Sequence, residues 1–149
     1  MASLSALNTL IDLANKASDT AAKQLGGALR ATEEAEQKLD LLLQYRDDYA
    51  GRWQTNMANG ISTAQFNNFQ VFMGKLDHAI AGQLKVVSDA RDRAQLARAS
   101  WVTCEQKKMS FVTLAGRANK ANLRRENAHD QKQNDEHAAR RTQPKRDHS

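Results

Sequence analysis

Four histidines, one cysteine and 17 carboxylates are the side chains that could hold a metal, attack a carbonyl or move a proton near neutral pH. Their spacing argues against all three. His129 and His137 stand eight residues apart on helix-friendly sequence, whereas two ligands sharing a metal on one helical face need i, i+4 spacing. His78 follows Asp77 and reads as a surface residue. Cys104 has no second cysteine to bond, which fits a reducing compartment, and it falls where a small hydrophobe is needed. Gly-rich phosphate loops, paired Cys-x-x-Cys elements and a Gly-x-Ser-x-Gly turn are missing from the sequence. The expectation is a chain that is not an enzyme, with no cofactor and no metal.

The remaining chemistry is charge. Lys and Arg number 22 against 17 Asp and Glu, a formal net charge of +5. From Arg117 onward nine Lys and Arg face five Asp and Glu, so most of the excess lies late in the chain. A basic tail can meet nucleic acid, an anionic membrane or an acidic protein surface. Here Glu126, Asp130, Asp135 and Glu136 interrupt the basic residues, and no aromatic accompanies them to stack on bases. Protein contact is the better reading, and no nucleic acid is expected as a partner.

The elements that position these residues are helices. The 149 residues carry seven glycines and a single proline, Pro144, too few turn-formers for a chain of many strands. No apolar stretch approaches the ~20 residues of a membrane helix, and Met1 to Leu13 does not have the basic-then-apolar layout of a secretory signal.

Periodicity says which helices. From Leu4 the residues Leu7, Ile11, Ala14, Ser18, Ala21, Leu25, Ala28, Thr32, Ala35, Leu39, Leu42, Arg46, Tyr49 and Trp53 keep a strict 3-4 spacing. That is the seam of a left-handed coiled coil. Gly26-Gly27 inside it invites a local bend or a close contact. The pattern halts before Asn59-Gly60, and Ser62 with Gln65 reads as a capping box that restarts a helix. A second seam follows at Phe66, Phe69, Met73, Leu76, Ile80, Gln83, Val87, Ala90, Ala94, Ala97, Trp101, Cys104, Lys108 and Phe111.

Two long helices joined by a short turn lie antiparallel. The expected architecture is all-α: a single coiled-coil domain with helix 1 over about 4–54, a turn at 55–62, helix 2 over about 63–141 and a disordered tail at 142–149. This register sets Leu4 opposite position 113, close to the last large apolar residues Phe111, Val112 and Leu114. Helix 2 then overhangs from Ala115 as a polar helix.

Six aromatics (Tyr45, Tyr49, Trp53, Phe66, Phe69 and Phe72) crowd into 45–72. Trp53 and Phe69 read as the local core closing the hairpin. Leu42, Tyr45, Tyr49, Phe72, Leu76 and Ala79 occupy more faces than two helices can bury, and a surplus apolar flank of this kind marks a partner site.

Around the turn the chain reads Gln44-Tyr45-Arg46-Asp47-Asp48-Tyr49, Asn56-Met57-Ala58-Asn59-Gly60-Ile61 and Asn68-Phe69-Gln70-Val71-Phe72. Late in the chain comes Glu126-Asn127-Ala128-His129-Asp130-Gln131-Lys132-Gln133-Asn134-Asp135-Glu136. In these elements, and in length and turn position, it resembles the FliJ family, small cytosolic coiled-coil proteins of the bacterial flagellar type III export apparatus.

The resemblance implies a hairpin similar to the γ-subunit coiled coil of rotary ATPases, inserted as a central stalk into the hexameric export ATPase. It implies promotion of ring assembly, a link to the cytosolic domain of the export gate, and binding of escort chaperones of late export substrates. The gate-contacting face it implies comprises Lys38, Leu42, Tyr45, Tyr49, Phe72, Leu76, Ala79 and Gln83. Arg124, Arg125, Glu126, Asp135, Glu136, Arg140 and Arg141 are its candidates for the ATPase ring. The implied location is cytoplasmic, held through partners at the inner membrane beneath the flagellar base. Alternatives are a coiled-coil chaperone for export substrates or their escorts acting without the ring, a basic coiled coil on nucleic acid, and the homologous role in a virulence injectisome.

Overall fold

The computed structural model describes residues 3–142. These form two helices, α1 (Leu4–Ala58) and α2 (Thr63–Thr142), packed against each other as an all-α helical hairpin coiled coil. Ser3 caps α1, its hydroxyl accepting the Ala6 N–H at 3.1 Å.

The turn is shorter than the sequence pattern implies. Helix α1 continues past the expected end near 54, because Gln54 through Ala58 are all compatible with helix and nothing there forces a stop. What stops it is Gly60, whose φ of 82° closes the helix in the left-handed region. The Gly60 N–H donates to Met57 O at 3.2 Å and the Asn59 N–H to Asn56 O at 3.1 Å. Two residues later the expected capping box is present: the Ser62 N–H donates to Gln65 Oε1 at 3.0 Å, and the Gln65 N–H to Ser62 Oγ at 3.2 Å. Helix α2 runs one residue past its expected end, so Thr142, expected in the tail at 142–149, is helical, and the remainder of that tail, 143–149, lies outside the described residues.

By contact the chain divides into two units, Ser18–Cys104 and Met1–Ala17 with Glu105–Ser149. Within Ser18–Cys104 the antiparallel pairing is explicit. Arg46 meets Asp77 at 2.7 Å, Gln83 reaches Ala35 at 2.9 Å, and Arg91 meets Glu36 at 2.8 Å. Arg46–Asp77 and Arg91–Glu36 lie further along α2 than a hairpin turning at 55–62 would place them, while Gln83–Ala35 falls within one residue of that register. Ser18, Ala21, Ala35, Leu76, Gln83, Val87, Ala90 and Ala94 are buried here, and Ala35, Val87 and Ala90 form a cluster with Leu39 packed on it. The core is built largely of alanine, so each layer contributes much less than the ~1.5–3 kcal/mol of a buried leucine. Gly26 and Gly27 make no close contact, since a Cβ at either meets nothing within 4 Å.

In the other unit Leu7 and Ala14 are buried, and Leu4, Ile11, Lys108 and Phe111 half-buried. Half-burial continues at Ala115, Ala118 and Ala121, beyond the expected limit of the seam, and every described residue from Asn122 is exposed. The polar overhang therefore begins later than Ala115. Of the seam positions in both helices, only Arg46 and Phe66 are exposed.

Candidate partner-binding surfaces

The aromatic end of Ser18–Cys104 is a stack of rings. Phe69 lies between two partners, Trp53 at 4.0 Å and Tyr49 at 5.5 Å, both within 8° of parallel. Phe72 tilts onto Tyr49 at 4.3 Å and Phe66 onto Trp53 at 6.0 Å. Such pairs add roughly 0.5–1.5 kcal/mol each beyond their buried area. Trp53 and Phe69 thus serve as the local core expected of them.

The eight residues proposed for one partner face do not all share a surface. Tyr45 and Phe72 are 55% and 43% exposed, Lys38 and Ala79 are exposed, and Leu42 and Tyr49 are half-buried. Leu76 and Gln83 are each only 8% exposed. Both are seam residues: Gln83 holds the Ala35 carbonyl, and Leu76 fills the core with only a small part of it reaching the surface of the flank. The exposed part of that set is therefore narrower than the sequence reading: Lys38, Tyr45, Phe72 and Ala79, beside the half-buried Leu42 and Tyr49.

A depression of about 190 Å³ opens in this face, lined by Tyr45, Asp48, Tyr49, Arg52, Phe72 and Leu76. Asp48 and Arg52 were not singled out in the sequence, although they follow Tyr45 at i+3 and i+7 and so share its helical face. They place one charge of each sign beside the rings.

Arg124, Arg125, Glu126, Asp135, Glu136, Arg140 and Arg141 are all exposed on the last turns of α2. Arg140 and Arg141 sit in the final turn, where cations complement the helix dipole. Nearby, His129 and Gln133 are 3.1 Å apart, an i, i+4 contact. Among the described residues no three His, Cys, Asp or Glu side chains are grouped to hold a metal ion, and no helix is long and apolar enough to cross a membrane.

An aromatic flank on an alanine-seamed hairpin and a long polar helix end define a coiled-coil hairpin protein that offers surfaces rather than a deep pocket. Comparison with known sequences is specific. The family model described as Flagellar FliJ protein matches residues 3–147, and the chain belongs to the FliJ family. It is 37% identical over 140 residues to the Flagellar FliJ protein of Salmonella typhi, covering 94% of this chain and 95% of that one. The Flagellar FliJ protein of Escherichia coli strain K12 is 34% identical over the same span and coverage. The chain is thus a flagellar component of this family.

Proposed function

We propose that this chain is a non-enzymatic central-stalk component of the flagellar type III export apparatus, promoting hexamer assembly and activity of the export ATPase and linking it to the export gate. The observation that carries the reading is FliJ-family membership along nearly the whole chain. The surfaces described above suit two such partners. Tyr45 and Phe72 offer exposed ring area around a shallow depression, the residue types that dominate protein interfaces, for the cytosolic domain of the gate protein. The exposed, mixed-charge end of α2 offers adaptable ion pairs to a ring of ATPase subunits. Escort chaperones of late substrates are further partners, and the protein acts at the cytoplasmic face of the membrane through the proteins it binds.

The test is ATP hydrolysis by the cognate export ATPase titrated with this protein, with ring formation followed by light scattering or electron microscopy. Stimulation with more hexamers is expected, and is expected to be lost when Arg124 and Arg125 are both changed to Glu. Gate binding should fail in Tyr45→Ala with Phe72→Ala while the ATPase response is kept. No effect of the wild-type protein on turnover or rings, with export substrates or their escorts still bound, would replace the stalk reading by that of a ring-independent chaperone.

A further inference from the structure

A second flank of the Ser18–Cys104 unit carries charge of one sign. Leu43 precedes Tyr45 by two residues, so it points away from the Tyr45–Phe72 surface. On its side of α1 the residues Glu33, Glu36, Asp40, Leu43 and Asp47 keep a 3-4 spacing and form one stripe. Arg91 meets Glu36 at 2.8 Å and Arg46 meets Asp77 at 2.7 Å. This edge of α1 therefore runs beside Asp77, Leu84 and Arg91 of α2, which stand seven residues apart. Leu43 and Leu84 are both exposed between the two ion pairs. Five carboxylates share the flank with two arginines, and both arginines are already engaged. The outcome is a pair of exposed leucines in a net negative field.

The other unit carries the complement. Between Glu105 and Glu126, α2 has six Lys and Arg and no carboxylate. Met109, Val112, Gly116, Lys120 and Leu123 follow one another at steps of three and four, clear of the seam positions Lys108, Phe111, Ala115 and Ala118, and all five are exposed. Arg117 and Arg124 run alongside them, seven residues apart and also exposed. Here an apolar stripe sits in a net positive field.

The two stripes match in sign, in apolar content and in step. Glu33, Asp40 and Asp47 repeat every seven residues, as Arg117 and Arg124 do, a step of about 10.5 Å along a helix. Two successive carboxylates can therefore meet both arginines in one register. Leu43 and Leu84 then face Met109, Val112 or Leu123, with charges on the rim, which is how a further helix joins a coiled coil. Nucleic acid and an anionic membrane match only the basic stripe and offer nothing to the acidic flank. We infer that the acidic flank takes the basic stripe of α2 from a second copy of this chain. The two surfaces differ, so the contact is heterologous, and every added copy leaves one surface of each kind open. Exposed ion pairs are individually weak, which makes the association reversible and salt-sensitive. Arg124 is also a candidate for the ATPase ring, so one helix end cannot serve a second copy and the ring at once.

Self-association is separable from the stalk reading, since the experiment uses this chain alone. Sedimentation velocity is run over a concentration series in about 0.1 M and about 1 M salt, between which the Debye length falls from about 10 Å to about 3 Å. The weight-average mass is expected to grow with concentration beyond one chain at the lower salt and to fall back towards one chain at the higher. Asp40→Lys with Asp47→Lys, and separately Lys120→Glu with Arg124→Glu, should each weaken the association by about tenfold or more. An equimolar mixture of the two variants should restore it, because each intact stripe and each reversed stripe then finds one of opposite sign. Circular dichroism checks that both variants are helical. One chain's mass at every concentration, association indifferent to either reversal, or variants that stay apart when mixed would each overturn the proposal. Growth that disappears on nuclease treatment would overturn it too, as bridging by nucleic acid.

Discussion

Gln83 occupies a seam position where an apolar side chain would serve the heptad, and it is buried with its Nε2 donating to Ala35 O at 2.9 Å. That carbonyl already accepts within α1, so Gln83 takes its second lone pair and the pair is satisfied, not strained. A polar seam residue of this kind specifies register at some cost in stability. Truncation and isosteric replacement should therefore differ. Gln83→Ala leaves a void between the helices and is expected to lose about 2 kcal/mol. Gln83→Leu removes donor and void together and should stay within about 1 kcal/mol of wild type. Urea unfolding of the two variants decides it. Equal losses would mean that the hydrogen bond, not the packing, dominates at this layer.

Helix geometry gives two glycines opposite meanings. Gly60 ends α1 at a φ of 82°, which costs an L side chain about 1–2 kcal/mol. Gly26 lies inside α1, and a Cβ there meets nothing within 4 Å, so alanine gains helix propensity without a clash. Gly60→Ala should lower the melting temperature and Gly26→Ala should raise it, the second by about 0.5–1 kcal/mol of added stability. Calorimetry on the pair tests both signs at once. The ion pairs Arg46–Asp77 and Arg91–Glu36 also connect α1 to α2, but their side chains are about half exposed. At about 0–1 kcal/mol each they favour one register more than they add stability.

For the molecule as a whole, stability is unevenly distributed. Burial gathers on Ala35, Val87 and Ala90, while Asn122 to Thr142 are exposed throughout. A helix without a buried face relies on propensity and local side-chain pairs, which are marginal in water. Hydrogen exchange followed by mass spectrometry should therefore show Asn122–Thr142 exchanging orders of magnitude faster than the segments around Ala35 and Val87. Addition of the export ATPase should slow exchange in that same stretch if the stalk reading holds. Slow exchange in the free protein would show that another surface covers the helix end.

Much of this was readable in the residues themselves. The two seams, the capping box at Ser62 and Gln65, the antiparallel pairing and the likeness to the FliJ family all follow from local spacing, because a heptad writes its buried face directly into the chain. Where α1 ends was not readable: residues 54–58 tolerate helix or turn alike, and the balance falls to helix until Gly60. Half-burial likewise runs on to Ala121, past the expected limit of the seam. The same limit applies to the partner face. Tyr45 and Leu76 are both apolar, and spacing alone grouped them on one flank. Packing sends Leu76 into the seam and leaves Tyr45 in water, because two helices bury only the positions that point between them. The shallow depression at the hairpin tip belongs wholly to the tertiary structure, since Arg52 and Asn68 line it together only when the hairpin closes.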